Sequence, residues 1–409
     1  MLSEREQRGL QIAALAKIEQ TRVGWKVPSQ SGNGSYIVNV DGQPFCTCPD
    51  FEARQQPCKH VFAVTYVIQR EERPDGTTTY TRTVEFTYGQ HWTAYHTAQV
   101  NEGARFAELL RGLCNGIQQP PQAFGRPRLP LADMVFSAVL KVYSTMSGRR
   151  FISDLNDCVT KGLLAKAPHY NSTFNAFEDP ALTPLLKTLI EESASPLRAI
   201  ETDFAVDSSG FSTTTYDRWF DHKYGRVRSE AKWIKTHLIC GVKTHVVTSA
   251  EATPTETADA PQLPALLNAT AETFPIYEVS ADKAYSSRKN LRAIESVGGV
   301  AYIPFKNRTT GIGNTYDALW QRMWHYYNFN RAEFLVHYHK RSNVETTFSM
   351  IKAKFSGAVR SKTPVAQVNE VLCKVLAHNL CVLIQSIYEL GIAPTFWADS
   401  PVAHKVDAI

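Results

Sequence analysis

From Ala199 onward the chain alternates between strand-like and helix-like segments, and this alternation restricts its fold more than any other feature. Phe204-Ala-Val206 is a short apolar run that leads into Asp207-Ser-Ser-Gly210. Trp233 to Cys240 and His245 to Thr248 flank Gly241 and predict a hairpin. Pro264 to Thr273 has helical spacing, Ile276 to Asp282 reads as a strand, Ser287 to Ser296 as a helix and Val300 to Phe305 as a strand. Two helices close the series, Phe334 to Phe355 and Pro364 to Leu390. Thr363 can cap the second, Pro364 suits its first turn, and Gly391 stops it. The series predicts an α/β fold, a mixed sheet flanked by helices.

Upstream the pattern differs. Residues 1–118 contain a helical start, a β-rich stretch, a cysteine cluster and a helix from Asn101 to Leu113, and read as an N-terminal region. Residues 119–130 hold repeated prolines and read as a linker, because proline denies the chain regular structure. Residues 131–198 read as a small helical region with helices at Leu131–Tyr143, Ile152–Leu164 and Pro184–Glu192. Residues 199–409 form the α/β part.

Charge and apolar content narrow the partners. The net charge of +5 is modest, but residues 331–362 hold seven Lys or Arg against two acids. That local excess suits a phosphate backbone, and it also suits a solvated helix face. The most apolar stretch, Val365 to Leu390, carries Glu370, Lys374, His378, Asn379 and Gln385, so it reads as a packed helix with no membrane partner. The start, Met-Leu-Ser-Glu-Arg-Glu-Gln-Arg, has no apolar signal core. Cys114, Cys158, Cys240, Cys373 and Cys381 sit in apolar contexts, which predicts reduced thiols and a cytoplasmic setting.

Three acids stand where chemistry would collect. Hard divalent cations take oxygen ligands, and two-metal phosphoryl transfer needs several carboxylates together. Asp207 and Asp282 each end a predicted strand, the place where sites in α/β sheets gather. Each also has a plain structural reading, Asp207 as the start of a Ser-Ser-Gly turn and Asp282 as a helix cap. Tyr338, Arg341, Glu345 and Lys352 follow at i, i+3, i+7 and i+14. On one continuous helix they fall within a wedge of roughly 60°, beside the apolar stripe of Val344, Phe348, Ile351 and Phe355. Arg341 and Glu345 could equally be a simple ion pair one turn apart. Asp203, four residues before Asp207, is a reserve carboxylate. Trp320 and Trp324 read as core or as base-stacking aromatics.

These residues carry a resemblance. Tyr338-His-Lys-Arg341-Ser-Asn-Val-Glu345 with Lys352 resembles the Tyr-x2-Arg-x3-Glu-x6-Lys signature of a group of insertion-sequence transposases. Val206-Asp207-Ser-Ser-Gly210 and Ala281-Asp282-Lys-Ala-Tyr-Ser-Ser-Arg288 resemble the first and second acidic motifs of that group, and the likeness spans residues 199–390. It implies an RNase H-like catalytic domain and DDE chemistry. Asp207, Asp282 and Glu345 would then be catalytic ligands of two Mg2+ (or Mn2+), Arg341 and Lys352 phosphate contacts at the transposon end, and Tyr338 a neighbour of the site. The stretch from Lys306 to Glu333 is too short for the large domain that some relatives insert before the Glu helix.

Cys46-Thr-Cys48 and Cys58-Lys-His60 offer four zinc ligands, which predicts one structural Zn2+ with its coordination closed. Cys-x-Cys-xn-Cys-x-His resembles the SWIM zinc finger, over residues 24–68. Gly125-Arg126-Pro127-Arg128 resembles the core of an AT-hook, which would place Arg126 and Arg128 in an A·T-rich minor groove; a plain spacer is the alternative. The resulting expectation is a DNA transposase that binds double-stranded transposon ends and target DNA as a homodimer. A domesticated DNA-binding protein, a SWIM-type adaptor and a nuclease without strand transfer are the alternatives.

Overall fold

The computed structural model describes residues 4–30, 34–40, 43–72, 78–82, 91–122, 124–125, 127–213, 223, 233–306, 309 and 317–397. The chain divides into two compact units, Met1–Gly89 and Gln90–Ile409.

The first unit begins with helix α1 (Glu4–Leu15). Strands β1 (Glu19–Thr21), β2 (Gly24–Pro28), β3 (Ser35–Asn39) and β4 (Phe45–Cys46) follow as an antiparallel sheet in that order. Helices α2 (Pro49–Arg54) and α3 (Lys59–Val67) and the hairpin β5 (Ile68–Glu72) and β6 (Thr78–Arg82) complete it. The period of two in β2 buries Trp25 and Val27 and exposes Lys26. Those two side chains join Ile12, Val38, Phe51, Val61 and Val64 in a small core that also encloses Cys46, Cys48 and Cys58. Gly24 has φ +133°, and a Cβ there would stand 2.7 Å from the Val38 carbonyl, so the β1–β2 turn needs glycine.

The second unit opens with five helices, α4 (Trp92–Cys114), α5 (Leu131–Ser144), α6 (Gly148–Thr160), α7 (Tyr170–Phe177) and α8 (Leu182–Ala194). Then come β7 (Asp203–Ser212), β8 (Trp233–Gly241), β9 (Val247–Pro254), α9 (Leu263–Ala271), β10 (Glu278–Ala281), α10 (Arg288–Ser296) and β11 (Val300–Tyr302). The unit ends with α11 (Ala318–Phe329), α12 (Arg331–Tyr338), a 3-10 turn at His339–Arg341, α13 (Ser342–Phe355) and α14 (Pro364–Leu390). The five strands lie in the order β11-β10-β7-β8-β9. β10 and β11 run parallel to β7, while β8 and β9 form the antiparallel side. A mixed sheet flanked by helices, in this order and polarity, is the RNase H-like arrangement that the motifs imply.

Three expectations change here. The sequence groups Asn101 to Leu113 with the N-terminal region, yet that helix is α4 of the second unit. Phe106, Leu110 and Leu113 are fully buried there, against α14 and α5. An amphipathic pattern shows that a helix needs a partner and is silent on which partner. The helices of residues 131–198 share one continuous core with the five-stranded sheet, so they are a layer of the second unit. Helix α7 escaped the sequence reading because only Phe174, Ala176 and Phe177 break its polar run; His169 caps it, its Nδ1 accepting from the Asn171 N–H at 3.3 Å.

The long helix α14 has the length and apolarity to cross a membrane, and in this fold 78% of its apolar window is buried. Its Thr363 cap, first-turn Pro364 and left-handed Gly391 stop are as the sequence predicts. Asn379, at its centre, is a buried polar staple. Its Oδ1 accepts from the Val247 N–H (2.8 Å), and its Nδ2 donates to the Val247 carbonyl (2.7 Å), Ser193 Oγ (2.9 Å) and the Ile190 carbonyl (3.2 Å). Replacing it with leucine orphans both backbone groups of Val247. Denaturant unfolding of Asn379→Leu is expected to show a loss of about 3 kcal/mol, since each buried unpaired polar group costs on the order of 1–3 kcal/mol. A loss under about 1 kcal/mol would show that the staple is dispensable.

Candidate active site

The parallel pairing of β7 with β10 sets the site. Val206 lies opposite Ala281, so Asp207 and Asp282 follow side by side, where the two strands leave their shared ladder. The sequence reads Asp-Ser-Ser-Gly as a turn. The structure extends β7 through Ser212 instead, because β8 offers backbone partners as far as Trp233. Asp207 therefore sits inside a strand, with a rigid backbone on both sides. Its Oδ1 accepts from the Ser208 N–H at 2.8 Å. Asp282 caps the short 3-10 turn Lys283–Tyr285, its Oδ1 accepting from the Lys283 N–H at 2.7 Å, so the predicted cap is present at a position that also adjoins Asp207.

Glu345 lies in the first turn of α13. The predicted continuous helix is broken by the 3-10 turn at His339–Arg341, which changes the rotation between Tyr338 and Glu345. Arg341, the last residue of that turn, bridges the acids. Its Nη1 stands 2.8 Å from Asp207 Oδ2 and its Nη2 stands 2.6 Å from Glu345 Oε1. The i,i+4 ion pair is thus present, and the same guanidinium also binds the first acid across 134 residues of sequence. Tyr338 is half-buried, with the Arg341 guanidinium carbon 6.0 Å from its ring centre.

Burial pushes the Asp207 carboxyl above its usual range; the Ser208 N–H and Arg341 oppose this, and the charges of Asp282 and Glu345 add to it. The carboxylates are close enough to feel one another, and a cation among them would relieve that repulsion. Lys352 reaches the neighbouring position. Its Nζ lies 2.6 Å from Ser209 Oγ and 5.3 Å from the Phe211 ring centre, and burial lowers its pKa. Lys352 lines an open cavity of about 450 Å³ with Ser208, Ser209, Gly210, Trp233, Lys235 and Thr255.

The reserve carboxylate is committed elsewhere. Asp203 accepts from Lys340 Nζ at 2.7 Å, and the same ammonium holds Glu278 at 2.6 Å. Glu278 also meets His337 Nδ1 at 2.8 Å. Lys340 thereby fastens the 3-10 turn to β7 and β10 immediately before Arg341. Its only sequence signal was its place beside Arg341. Trp320 and Trp324 are partly buried against the core, Trp320 edge-on to Phe305 and Trp324 donating from Nε1 to the Thr309 carbonyl at 3.1 Å.

Among the described residues, Cys46, Cys48, Cys58 and His60 form a buried cluster whose ligand atoms all lie within 4.8 Å of one another. His60 Nδ1 faces Cys46 Sγ at 3.9 Å and Cys58 Sγ at 3.8 Å. Cys48 caps α2, its Sγ accepting from the Phe51 N–H at 3.4 Å, and Cys58 immediately precedes α3. Two helix N-termini therefore point positive ends at thiolates. The Cys58 thiol is pulled down to about 4, first by Cys46 and then, against burial, by His60, while the Cys46 thiol is pushed up. Three cysteine sulfurs and one imidazole gathered within 4.8 Å are the soft tetrahedral donor set that fits structural zinc. Of the predicted arm, Arg126 lies outside the described residues. Arg128 is exposed, and its N–H donates to Gln122 Oε1 at 3.1 Å, closing the segment into a loop.

Known proteins bear on both parts. The transposase DDE domain family matches residues 199–380, and the SWIM zinc finger family matches residues 36–69. No curated protein matches the chain. Among solved structures it is similar to a piggyBac transposase synaptic complex with hairpin DNA, seen by cryo-EM. The identity is 10% over 75% of this chain and 82% of that chain, and the TM-score of 0.28 is too low to support an argument about fold or site. The chain thus joins two regions that match known modules, residues 199–380 the transposase DDE domain and residues 36–69 the SWIM zinc finger.

Proposed function

We propose that this chain is a DNA transposase that binds transposon ends, cleaves them and joins their 3′ ends to target DNA. The observation that carries the reading is the register of β7 against β10, which sets Asp207 beside Asp282, with Arg341 drawing Glu345 to the same place. These three carboxylates would hold two Mg2+ or Mn2+ ions, which supply charge for in-line displacement at phosphorus and acidify the attacking water or 3′-hydroxyl. The other roles belong to the chain's own side chains. Arg341 and Lys352 are cations beside the acids and suit the phosphates flanking the scissile bond. Tyr338 packs beside Arg341 and limits its orientations. Structural zinc would hold the first unit folded. Two ends must meet for transposition, so the working form would be a homodimer on double-stranded DNA, in the cytoplasm.

The test uses the purified chain with duplex DNA taken from the flanks of its own gene. Magnesium-dependent cuts that leave 3′-hydroxyls, followed by joining to a second duplex, are expected. Cutting without joining would reduce the activity to a nuclease. Binding without cutting in Mg2+ or Mn2+ would overturn the enzyme reading in favour of a DNA-binding protein built on the same scaffold.

The linker arginines give a separate prediction. Arg126→Ala with Arg128→Ala is expected to weaken binding to A·T-rich end DNA and to flatten the salt slope by roughly one to two units. Cleavage at saturating protein should not change. An unaltered affinity and slope would leave the segment as a spacer, in keeping with the loop that Gln122 closes.

A further inference from the structure

Behind the first acid lies a charged network built from residues far apart in sequence. Ser208 is its hinge. The Ser208 N–H holds Asp207 Oδ1 at 2.8 Å, and its Oγ donates to Asp259 Oδ1 at 2.7 Å. Asp259 in turn pairs with Lys235 Nζ at 2.8 Å and meets His237 Nδ1 at 3.4 Å. Lys235 also donates to the Thr257 carbonyl at 3.0 Å, and His237 Nε2 lies 3.0 Å from Thr253 Oγ1. His237 is fully buried. Asn290 donates to the carbonyls of Ala260 (3.0 Å) and Tyr285 (2.8 Å), tying the Asp259 segment to the turn that Asp282 caps. The fully buried Tyr285 ring lies in that same turn. Ser208 and Lys235 also face the cavity that Lys352 lines.

We infer that Asp259 is a positioning residue for Asp207, acting through Ser208. The inference rests on the proposed metal site. Asp259 is already committed, because its Oδ1 serves both Ser208 and Lys235. What it does is pin the Ser208 side chain beside the Asp207 carboxylate, next to the strand N–H that holds Asp207 Oδ1. A carboxylate ligand whose orientation is held in this way binds a cation without first losing rotamer freedom. Such supporting contacts change metal affinity by about 10–100-fold when removed. Lys235 neutralises Asp259, so the support adds no net negative charge beside the three acids.

The experiment titrates Mn2+ into the zinc-loaded full chain and follows the free ion by its electron paramagnetic resonance signal. Asp259→Ala and Ser208→Ala are each expected to weaken Mn2+ binding by about 10-fold or more. The double variant should be no weaker than either single one, since both break the same link. Asp259→Asn keeps an oxygen for Ser208 and should stay close to the wild type. Unchanged affinity in Asp259→Ala or Ser208→Ala would overturn the inference, as would a double variant whose loss is the product of the two single losses. Ser208→Ala and Asp259→Asn keep the test decisive if Asp259→Ala does not fold. Asp207→Ala serves as the control for the site: if it binds Mn2+ as the wild type does, the metal site itself fails, an outcome separate from a failure at Asp259 alone.

Discussion

Alanine at Asp207, Asp282 or Glu345 is expected to lower DNA cleavage by several orders of magnitude while leaving DNA binding intact. A thousandfold loss corresponds to about 4 kcal/mol of barrier. Chemistry and affinity separate because the carboxylates would serve the ions, while Lys and Arg serve the phosphates. The structure adds a stability signature. Asp207 is 23% exposed, and both burial and the charges of its two neighbours push its carboxyl upward. Removing a carboxylate that the fold holds at a cost should not weaken the fold, although Arg341 loses one of its two partners. Asp207→Ala is therefore expected to melt at or above the wild-type temperature, and loss of activity with retained stability marks a functional acid. Near-normal cutting by Glu345→Ala, or a collapse in melting temperature for Asp207→Ala, would make these residues structural.

Losing the zinc cluster should unfold the first unit and spare the second. The first unit's core is a handful of side chains that includes Cys46, Cys48 and Cys58, and a core that small needs a staple. Structural zinc contributes on the order of 10 kcal/mol or more to small fingers. The second unit has a separate core running from Ala98 to Ile384. Cys58→Ser should therefore reduce zinc from one ion per chain towards none. Residues 1–89 should become open to protease while the remainder resists digestion. Equal zinc in the variant and the wild type would remove the assignment. Cys58 is the informative position because it immediately precedes α3 and faces His60 Nδ1 at 3.8 Å, so serine there removes a donor from the middle of the cluster.

Local pattern was enough for those features whose causes are local. The four zinc ligands lie within one strand end and two helix starts, so their spacing alone brings them together. Thr363, Pro364 and Gly391 bound α14 through bonds made within a few residues. The strands that carry or lead into Asp207 and Asp282, and the helix turn carrying Glu345, were legible from apolar runs and from a motif that resembles a known family. Tertiary structure decided the rest. Whether Asp-Ser-Ser-Gly is turn or strand depended on β8 pairing as far as Trp233. Which unit owns α4 depended on α14, far along the chain. Asp203 and Asp207 look alike in sequence, and only side chains 137 and 134 residues away separate them: Asp203 shares Lys340 with Glu278, whereas Asp207 shares Arg341 with Glu345. Asp259 carried no signal at all, because its bond to Ser208 spans 51 residues. Periodicity and spacing report contacts within a few turns of chain. A hydrogen bond or ion pair between distant segments leaves no period in the sequence, and it exists only once the sheet has set the two segments side by side.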